Sequence, residues 1–460
     1  MKILIIGAGQ VGATVIGALH DAHELTVLDV DAGRLNALSH RHDVKIVEGS
    51  GTSRRSLQEA GLPEMDLLIA CTSRDEVNVI AALFSKKLSP ETKTIVRTTN
   101  MEYLEVWHER QLDVDFMVSS ELETAHAVSA IIGIPAARQT DVFADGQVQI
   151  VEFDIAPVQQ VDRGRRLVEA AKRRHARGRD EVIGRRLREA QIPKDSKVAS
   201  IIRGDQLIVP RGDEEIRDGD RIIVIGSPEA AREWSELIAP DARRVDDVVI
   251  YGCGRIGTAV ARVLLDQNLH VRMVETDRAR AQQTAEELPD ARIFNATGLD
   301  ADFLERERIG NARAAIFAMR DDAKNHYAAT LAKLHGVDFT IAIVHDAVSI
   351  PVFERAGIDV ALNPREVTAE EIVRHAHDPR TQQVVMLEGD RYEVLDVYVR
   401  PESTLVDKPF RELPMTGALI GAIIRGGKAV FPHGDDVLMP GDRVIVFTEA
   451  RRAAEVEAAL

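Results

Sequence analysis

The sequence predicts an α/β protein in which two Rossmann-like parallel-sheet domains are each followed by a small α+β module. Two glycine-rich segments, GAGQVG from Gly7 and GCGRIG from Gly252, each follow an apolar run and precede a helix-like stretch. This order of strand, glycine turn and helix is typical of nucleotide-binding βαβ units. The same segments recur in the same order along the chain, which indicates a duplication.

The first part of each copy alternates strands with helices. In the first copy, apolar runs predict strands near residues 2–6, 25–30, 44–47, 66–70, 93–97 and 114–118. Amphipathic patterns between them, such as Glu76 to Lys87, predict the helices of βαβ units on a parallel sheet. The second part has short strands and turn signals, for example at Ala199 to Ile202, Gln206 to Val209 and Arg221 to Ile225. It predicts the small α+β module.

Paired residues define how far the duplication extends. Gly7 matches Gly252 at an offset of 245, Thr124 matches Thr368 at 244, and IIRG at Ile201 recurs 222 residues later. The boundaries predicted from these offsets are 1–135 and 245–378 for the nucleotide-binding domains. For the small modules they are 138–228 and 382–460.

The fall in offset from 244 to 222 means that the first copy carries 22 extra residues after Pro157. Within them, residues 162–181 hold eight Lys/Arg and four Asp/Glu, a local charge of +4. One interpretation of this basic insertion is a solvated helix or loop at a tolerant site. The other is an electrostatic contact with an acidic partner, anionic lipid headgroups or a phosphate.

Bulk composition excludes several classes of protein. The net charge of −16 and the aromatic content of 4% argue against a protein whose main partner is nucleic acid. Two cysteines, Cys71 and Cys253, imply no disulfide framework and fit a reducing cytoplasm. The chain begins directly with a strand pattern, and no apolar run reaches the roughly 18 residues of a membrane span. We therefore expect a cytoplasmic protein.

Each glycine segment predicts a phosphate-binding turn. The first glycine permits a tight turn, the second lets the backbone approach a pyrophosphate, and the third lets the helix pack against the strand. The phosphates would meet amide N–H groups at the positive end of the following helix. The residues of the two predicted turns are Gly7, Ala8, Gly9, Gln10, Val11 and Gly12, and Gly252, Cys253, Gly254, Arg255, Ile256 and Gly257.

An acidic residue ends the second strand of each copy. Asp29 lies 17 residues after Gly12, and Glu275 lies 18 residues after Gly257. A carboxylate here would accept hydrogen bonds from a ribose diol and repel a 2′-phosphate, which disfavours NADP. NAD, ATP and ADP share the diol, and the sequence does not choose among them.

Later strand ends should add further contacts to each site. The candidates in the first copy are Gly51, Thr52, Thr72, Ser73 and Arg97, and those in the second are Thr297, Ala318 and Met319. An apolar residue of IAIV takes the place of Arg97, so we expect the second site to bind a different nucleotide or to bind more weakly. Asp75 and Asp322 either cap the following helix or touch ligand, and capping is the favoured interpretation.

We find no catalytic or metal-binding constellation in the sequence. His375 and His377 are two residues apart and would not share a helix face, so we do not expect them to bind a metal ion. Cys71 and Cys253 are interpreted as small packing residues. Hydride transfer would need a substrate pocket with an acid/base facing the nicotinamide, and neither small module offers one.

The chain resembles the TrkA family, the cytosolic regulatory subunits of bacterial Trk potassium uptake systems, which are built from RCK (KTN) domains. The matching segments are MKILIIGAGQVG, TVLDVDAGRL, ACTSRDEVN, GCGRIG with Glu275, and the two GDR-containing repeats. Two features depart from the family pattern: the basic insertion, and MRDDAKN, which lacks the small hydroxyl residues of CTSRDEVN.

The resemblance implies a non-enzymatic regulator. Its nucleotide-binding domains would form a ring, typically a homotetramer, at the inner face of the membrane beneath a potassium-translocating membrane protein. The implied ligands are NAD(H) and ATP or ADP. The implied contacts are Gly7 to Val11, Asp29, Thr72, Ser73 and Arg97 in the first site, and Gly252 to Ile256, Glu275, Ala318 and Met319 in the second. The crossover helices would be Ser120 to Ile132 and Arg365 to Ala376.

Two other functions stay open at this point. An NAD-dependent oxidoreductase would need a larger substrate domain and a positioned acid/base. A redox-sensing DNA-binding protein would need a DNA-binding element, and only the basic insertion favours it.

Overall fold

The computed structural model describes residues 1–21, 23–134, 137–144, 146–155, 182–204, 206–239, 245–376, 381–387, 391–412 and 418–460. The basic insertion at 162–181 lies outside these residues. Internal contacts divide the chain into two compact units. One unit contains residues 1–128 and 246–377, which hold both Rossmann-like sheets, and the other contains residues 129–245 and 378–460, which hold both small modules.

The first Rossmann-like domain contains a parallel sheet with the strand order β3-β2-β1-β4-β5-β6. The order reverses between β1 and β4, and the carboxyl ends of strands at such a point form a crevice. The strands are β1 (Lys2–Ile6), β2 (Glu24–Asp29), β3 (Lys45–Glu48), β4 (Leu67–Ala70), β5 (Lys93–Thr98) and β6 (Phe116–Ser119). The helices are α1 (Gln10–Leu19), α2 (Ala32–Ser39), α3 (Arg54–Glu59), α4 (Asp75–Leu88), α5 (Met101–His108) and α6 (Ser120–Gly133).

The central strand β1 shows why this sheet is covered on both faces. Ile3, Leu4, Ile5 and Ile6 are all at most 1% exposed. Consecutive side chains of a strand point to opposite faces, so a continuous buried run requires helices on both sides. The apolar run that predicted the first strand therefore also accounts for the layered α/β architecture.

The first small module is an antiparallel sheet with the strand order β10-β9-β11-β8-β7. Its elements are β7 (Ala137–Phe143), β8 (Val148–Asp154), β9 (Ser196–Arg203), β10 (Gln206–Ile208), β11 (Arg221–Gly226) and α7 (Pro228–Ile238). α7 packs on β8 and β11.

The second Rossmann-like domain repeats the first with the strand order β14-β13-β12-β15-β16-β17, again all parallel. Its strands are β12 (Asp247–Tyr251), β13 (His270–Glu275), β14 (Arg292–Asn295), β15 (Ala314–Phe317), β16 (Phe339–Ile343) and β17 (Val360–Leu362). Its helices are α8 (Arg255–Asp266), α9 (Arg278–Glu287), α10 (Ala301–Arg306), α11 (Asp322–Leu334), α12 (Ile350–Arg355) and α13 (Pro364–Arg374).

The second small module has the strand order β18-β19-β22-β20-β21, which corresponds strand for strand to the first. Its elements are β18 (Thr381–Leu387), β19 (Tyr392–Tyr398), β20 (Ala418–Arg425), β21 (Lys428–Val430), β22 (Arg443–Glu449) and α14 (Ala453–Ala459). The predicted fold class, two Rossmann-like domains that alternate with two α+β modules, is confirmed. No helix in the described part of the chain is both long and apolar enough to span a bilayer.

The last helix of the second Rossmann-like domain crosses to the first. α13 packs against α1 and also contacts β5 and β6 of the first sheet. At this contact the Thr368 hydroxyl donates a hydrogen bond to Ser120 Oγ at 3.0 Å, and both side chains are buried. The crossover brings the beginning of α13 towards the carboxyl edge of the first sheet.

The repeated GDR segments of the small modules each supply a buried carboxylate. Asp220 accepts two hydrogen bonds from the Arg203 guanidinium, at 2.8 and 2.7 Å, and one from the Arg217 amide at 2.7 Å. Asp442 accepts the equivalent pair from Arg425, at 2.9 and 2.7 Å. Each bidentate pair ties the start of the last strand to the end of the β9 or β20 strand, which explains why both residues recur.

We expect Asp220→Asn to destabilise the unit of small modules by about 2 kcal/mol, because charge-assisted hydrogen bonds to the Arg203 guanidinium are lost. The side chain of Asp220 is 2% exposed. In a unit of this size such a loss lowers the melting temperature by about 4–8 °C. Differential scanning calorimetry of the full chain measures it.

Asp213→Asn is the matched control, because the Asp213 side chain is 73% exposed in its ion pair with Arg188. Loss of an exposed pair costs about 0–1 kcal/mol. Equal shifts for the two variants would show that burial of the Asp220 pair has no bearing on stability.

Candidate nucleotide-binding sites

A cleft of about 780 Å³ lies at the carboxyl edge of the first sheet. It occupies the crevice expected where the strand order reverses. Its lining consists of Ile6, Gly7, Ala8, Gly9, Gln10, Val11, Ala13, Leu28, Asp29, Val30, Arg34, Gly49, Ser50, Gly51, Cys71, Thr72, Ser73, Arg74, Val77, Arg97 and Arg365. Every residue predicted for the first site is among them except Gly12 and Thr52. We refer to this feature as the first cleft.

Gly12 lies beneath the first cleft. A Cβ atom built on Gly12 would be 1.9 Å from the Gly7 carbonyl oxygen, so only glycine lets α1 start this close to β1. Gly7 itself has φ +112°, a conformation that favours glycine. Thr52 also lies outside the lining, and its hydroxyl is 2.9 Å from Ser50 Oγ.

The beginning of α1 faces the first cleft without a side-chain cap. Gly9 occupies the N-cap position, and no side chain accepts hydrogen bonds from the first amides of the helix. Such amides carry the positive end of the helix dipole and are suited to bind an anion. Gln10 and Val11 supply them, and both residues line the cleft.

The carboxylate of Asp29 stands beside this turn. Its Oδ2 accepts a hydrogen bond from the Ala8 amide at 2.6 Å, and its Oδ1 accepts one from the Asp31 amide at 2.8 Å. These bonds fix the carboxylate at the end of β2, where a ribose would lie in a dinucleotide fold. A carboxylate has further lone pairs available for a ribose diol.

Among the residues that the structure describes, four arginine side chains line the first cleft, and Asp29 supplies the single carboxylate. Arg97 was predicted from the sequence, whereas Arg34, Arg74 and Arg365 were not. Arg34 follows Asp29 on α2, and Arg74 stands in the strand-end motif CTSRDEVN, so both could have been inferred from position. Arg365 comes from the second copy, and no local signal marks it.

Arg97 is held in place by neutral partners. Its Nη1 donates to the Thr72 carbonyl oxygen at 3.1 Å, and its Nε donates to Ser120 Oγ at 3.0 Å. Asn78 joins the same loops, because its side-chain amide donates to the carbonyl oxygens of Thr72 and Arg97. The end of β4 and the end of β5 are thereby locked together at the cleft.

The predicted capping role of Asp75 and Asp322 is wrong. Asp75 is the first residue of α4, and its carboxylate accepts hydrogen bonds from the Thr99 amide and hydroxyl at 2.9 and 3.0 Å. Asp322 accepts from the amides of His345 and Asp346. Each carboxylate therefore fastens the loop after the fifth strand, and neither residue lines the first cleft.

The two cysteines pack beside the glycine turns. The Cys71 thiol lies 3.6 Å from the carbonyl oxygen of Ile6. Burial raises the pKa of the Cys71 thiol to about 12 and that of Cys253 to about 11. Both thiols therefore stay protonated at neutral pH and are poor nucleophiles.

The second copy reproduces the glycine turn. Gly252 has φ +104°, and a Cβ on Gly257 would be 2.0 Å from the Gly252 carbonyl oxygen. Arg255 is the first residue of α8, whose N-cap Gly254 offers no side chain. Ala318 and Met319 lie directly against Gly252, as Cys71 and Thr72 lie against Gly7.

Glu275 occupies the place that Asp29 has in the first copy. Its Oε2 accepts from the Cys253 amide at 3.0 Å, and its Oε1 accepts from the Asp277 amide at 2.9 Å. Burial alone favours the protonated carboxyl, but these two hydrogen bonds and the nearby Arg280 outweigh it. The pKa of Glu275 therefore lies below its usual value, and the group is ionised at neutral pH.

Larger apolar side chains surround the second turn. Tyr251 and Phe317 stand where the first copy has Ile6 and Ala70, and their rings stack with centroids 4.7 Å apart. Tyr251 is buried, and a Cβ on Gly298 would be 2.2 Å from its ring. Thr297 is the exposed residue before Gly298.

Ile343 replaces Arg97 in the second copy. The Asn325 amide donates to its carbonyl oxygen at 2.8 Å, just as the Asn78 amide donates to that of Arg97. The Ile343 side chain is fully buried. The second copy thus keeps the hydrogen bond from the asparagine side chain to the backbone and lacks the positive charge of Arg97.

Family models match the four parts of the chain in order. The TrkA-N domain matches residues 3–120 and 248–364, and the TrkA-C domain matches residues 180–239 and 394–460. The matches alternate along the chain and together cover most of it.

Curated relatives are similar over nearly the whole length. "Trk system potassium uptake protein TrkA homolog 1" of Methanosarcina mazei is 31% identical over 470 residues and covers 99% of both chains. "Trk system potassium uptake protein TrkA" of Haemophilus influenzae is 28% identical over 472 residues, covering 99% of this chain and 98% of the relative.

Solved structures share the fold at lower identity. The "GsuK Channel" aligns with a TM-score of 0.60 and 17% identity, covering 100% of this chain and 79% of that one. The structure titled "GsuK channel bound to NAD" aligns with a TM-score of 0.57 and 18% identity over the same shares. With its TrkA-N and TrkA-C domains in tandem and relatives matched from end to end, the chain belongs to the TrkA family of potassium uptake proteins.

Proposed function

We propose that this chain is the nucleotide-responsive regulatory subunit of a potassium uptake transporter. Membership of the TrkA family supports a role in potassium uptake. The observation that carries the nucleotide response is the first cleft, where an uncapped helix start, the Asp29 carboxylate and four arginine side chains converge.

The ligand of the first cleft is NAD(H), ATP or ADP. All three carry a ribose diol for Asp29 and a pyrophosphate for the turn from Gly7 to Val11. Gly51, Thr72, Ser73 and Arg97 complete its contacts. The solved channel of the same fold that is bound to NAD supports a dinucleotide.

The chemistry of the first cleft favours regulation over hydride transfer. Its one lining carboxylate, Asp29, already accepts hydrogen bonds from two amides, and its one lining thiol, Cys71, has a pKa of about 12. The thiol is poorly suited to exchange a proton with a substrate near neutral pH, and both carboxylate oxygens of Asp29 are engaged by backbone amides. A bound nucleotide here acts through the conformation that it stabilises.

The second copy is a weaker or differently selective site. Gly252 to Gly257 and Glu275 offer the same turn and ribose acceptor, with Thr297, Ala318 and Met319 at the strand ends. Tyr251, Phe317 and Ile343 alter the space and charge around them. We expect this site to discriminate against ligands that fit the first cleft.

The transporter partner is an integral membrane protein, and the regulator lies at its cytoplasmic face. Nucleotide binding would shift the conformational equilibrium of the regulator by the difference in its affinity for two states, and the transporter would respond to that shift.

Exposed apolar side chains on α11 and α12 support assembly with further copies of the chain. The ring of His326 on α11 lies edge-on to that of Phe353 on α12, so the two helices are neighbours. Leu334 at the end of α11 is 80% exposed, and Val348 in the short 3-10 turn before α12 is 83% exposed. Tyr327 on α11 and Val352 on α12 are also exposed. The equivalent helix α4 exposes Ile80 and Leu83. Matching faces on both copies suit a homotetramer in which like domains pack together.

Asp29→Ala should weaken binding of ADP and NAD+ to the first cleft by at least about tenfold, because charge-assisted hydrogen bonds to the ribose are lost. Isothermal titration of the full chain measures it. Asp66→Ala is the matched control, since Asp66 accepts from the Lys2 amide at 2.7 Å at the opposite edge of the same sheet.

The same variants test regulation in cells that lack the native chain. At growth-limiting potassium, wild type and Asp66→Ala should restore potassium uptake, and Asp29→Ala should not. Turnover of NADH with a defined substrate, at a rate that Asp29→Ala abolishes, would contradict the regulatory function and support an oxidoreductase.

Introducing charges into the exposed apolar face should break the assembly. We expect the double variant Leu334→Asp/Val348→Asp to reduce the molar mass in light scattering by half or more, because carboxylates would be desolvated at the contact. Val430→Asp, on the edge strand β21, is the control and should keep the wild-type mass. An unchanged mass for the double variant would exclude this face as the contact.

A further inference from the structure

Arg365 belongs to the second copy but lines the cleft of the first. It is the second residue of α13, the helix that leaves its own sheet and packs against α1. The beginning of α1 supplies the amides of the phosphate-binding turn. The crossover therefore brings a cation from one copy to the anion-binding end of a helix in the other.

The surrounding structure holds Arg365 in this position. Asn363 caps α13 and accepts hydrogen bonds from the Arg365 and Glu366 amides at 2.8 and 3.4 Å. The Arg365 Nη1 donates to the carbonyl oxygen of His345, and His345 is fastened in turn by Asp322. A guanidinium has five N–H donors, so this contact leaves donors for a ligand.

The guanidinium groups of Arg365 and Arg97 both donate hydrogen bonds to neutral oxygen atoms. The His345 carbonyl accepts from Arg365, while a carbonyl and a hydroxyl oxygen accept from Arg97. Arg34 is paired with Asp31 at 3.3 Å. The first cleft thus concentrates positive potential, which attracts a polyanionic ligand.

The corresponding position in the first copy carries the opposite charge. Glu121 is the second residue of α6, as Arg365 is of α13, and Ser120 and Thr368 join the two helices. The Glu121 carboxylate lies 3.8 Å from the guanidinium of Arg255, the first residue of α8. It is 6% exposed, and its Oε2 has no hydrogen-bond partner among the described residues.

We propose that Arg365 contacts the pyrophosphate of a nucleotide in the first cleft, so that the ligand is held by both copies of the duplicated domain at once. This proposal rests on the proposed function and deepens it. The ligand class is a nucleotide with at least two linked phosphates, as in ADP or NAD+. At the second turn, Glu121 takes the position of Arg365 and pairs with Arg255, so no cation from the other copy is offered to the same group.

A ligand held by both copies would also couple nucleotide binding to the relative position of the two Rossmann-like domains. A ligand bound only by the residues of one sheet makes no direct contact with the other Rossmann-like domain. A ligand bound by the α1 turn and by Arg365 stabilises the arrangement in which α13 lies close to α1.

The test compares Arg365→Gln and Arg365→Glu with wild type in calorimetric titrations of ADP, NAD+ and AMP into the full chain. We expect Arg365→Gln to weaken ADP and NAD+ about tenfold, equivalent to 1.4 kcal/mol, and Arg365→Glu to weaken them further. The affinity for AMP should fall less than about threefold in Arg365→Gln, because AMP has no pyrophosphate. A larger loss for ADP than for NAD+ assigns the contact to a terminal phosphate, and equal losses assign it to the shared pyrophosphate.

Arg355→Gln is the matched control, an exposed arginine of the second copy outside the cleft. The melting temperature without ligand separates a structural role from a binding role, because a binding role leaves that of Arg365→Gln at the wild-type value. If Arg365→Gln binds ADP and NAD+ as Arg355→Gln does while Asp29→Ala fails to bind them, Arg365 is not a ligand contact and the proposed function stands. If wild type binds no nucleotide at all, both fail.

Discussion

The packing of α13 from the second copy against α1 from the first is the contact on which the arrangement of the first cleft depends. The buried Thr368–Ser120 hydrogen bond joins α13 to the start of α6. Arg365 at the start of α13 lines the same cleft as Gln10 and Val11 at the uncapped start of α1. A nucleotide turn needs a strand, glycines and a helix, all of which one copy supplies. The charge that completes the turn comes from the other copy, so the duplication is part of the site itself.

The two copies preserve their backbone and differ in what surrounds it. Gly12 and Gly257 leave the same close approach to the preceding turn, and Asn78 and Asn325 donate the same hydrogen bonds to the backbone. Where the first copy has Arg97 the second has Ile343, and where α13 presents Arg365, α6 presents Glu121. The geometry of the fold is therefore shared, while the charged side chains around the two turns differ. Such a pair suits a protein in which the second site binds nucleotide more weakly than the first or selects a different one.

The fold class was predictable because glycine spacing and apolar periodicity are local properties of the chain. The same holds for the placement of Gly7 to Val11, Asp29 and Thr72 at the first cleft, because these residues directly follow strand ends. The presence of Arg365 in the first cleft was not predictable. Its position depends on a helix that crosses over from the second copy, some 240 residues later in the sequence. The role of Asp75 was mistaken for a similar reason: a carboxylate at a helix start suggests a cap, but its partner is Thr99 on the next loop. The offset between the two repeats identifies which residues are equivalent. It does not reveal which copy a given side chain contacts.

The central claim is that a nucleotide in the first cleft is held by both copies of the Rossmann-like domain. Hydrogen–deuterium exchange of the full chain, with and without saturating ADP or NAD+, tests it directly. The account predicts that amides at the start of α1, from Gln10, and at the start of α13, from Arg365, gain protection together when the ligand binds. Protection confined to the turn and strand ends of the first copy, with the start of α13 unchanged, would contradict it.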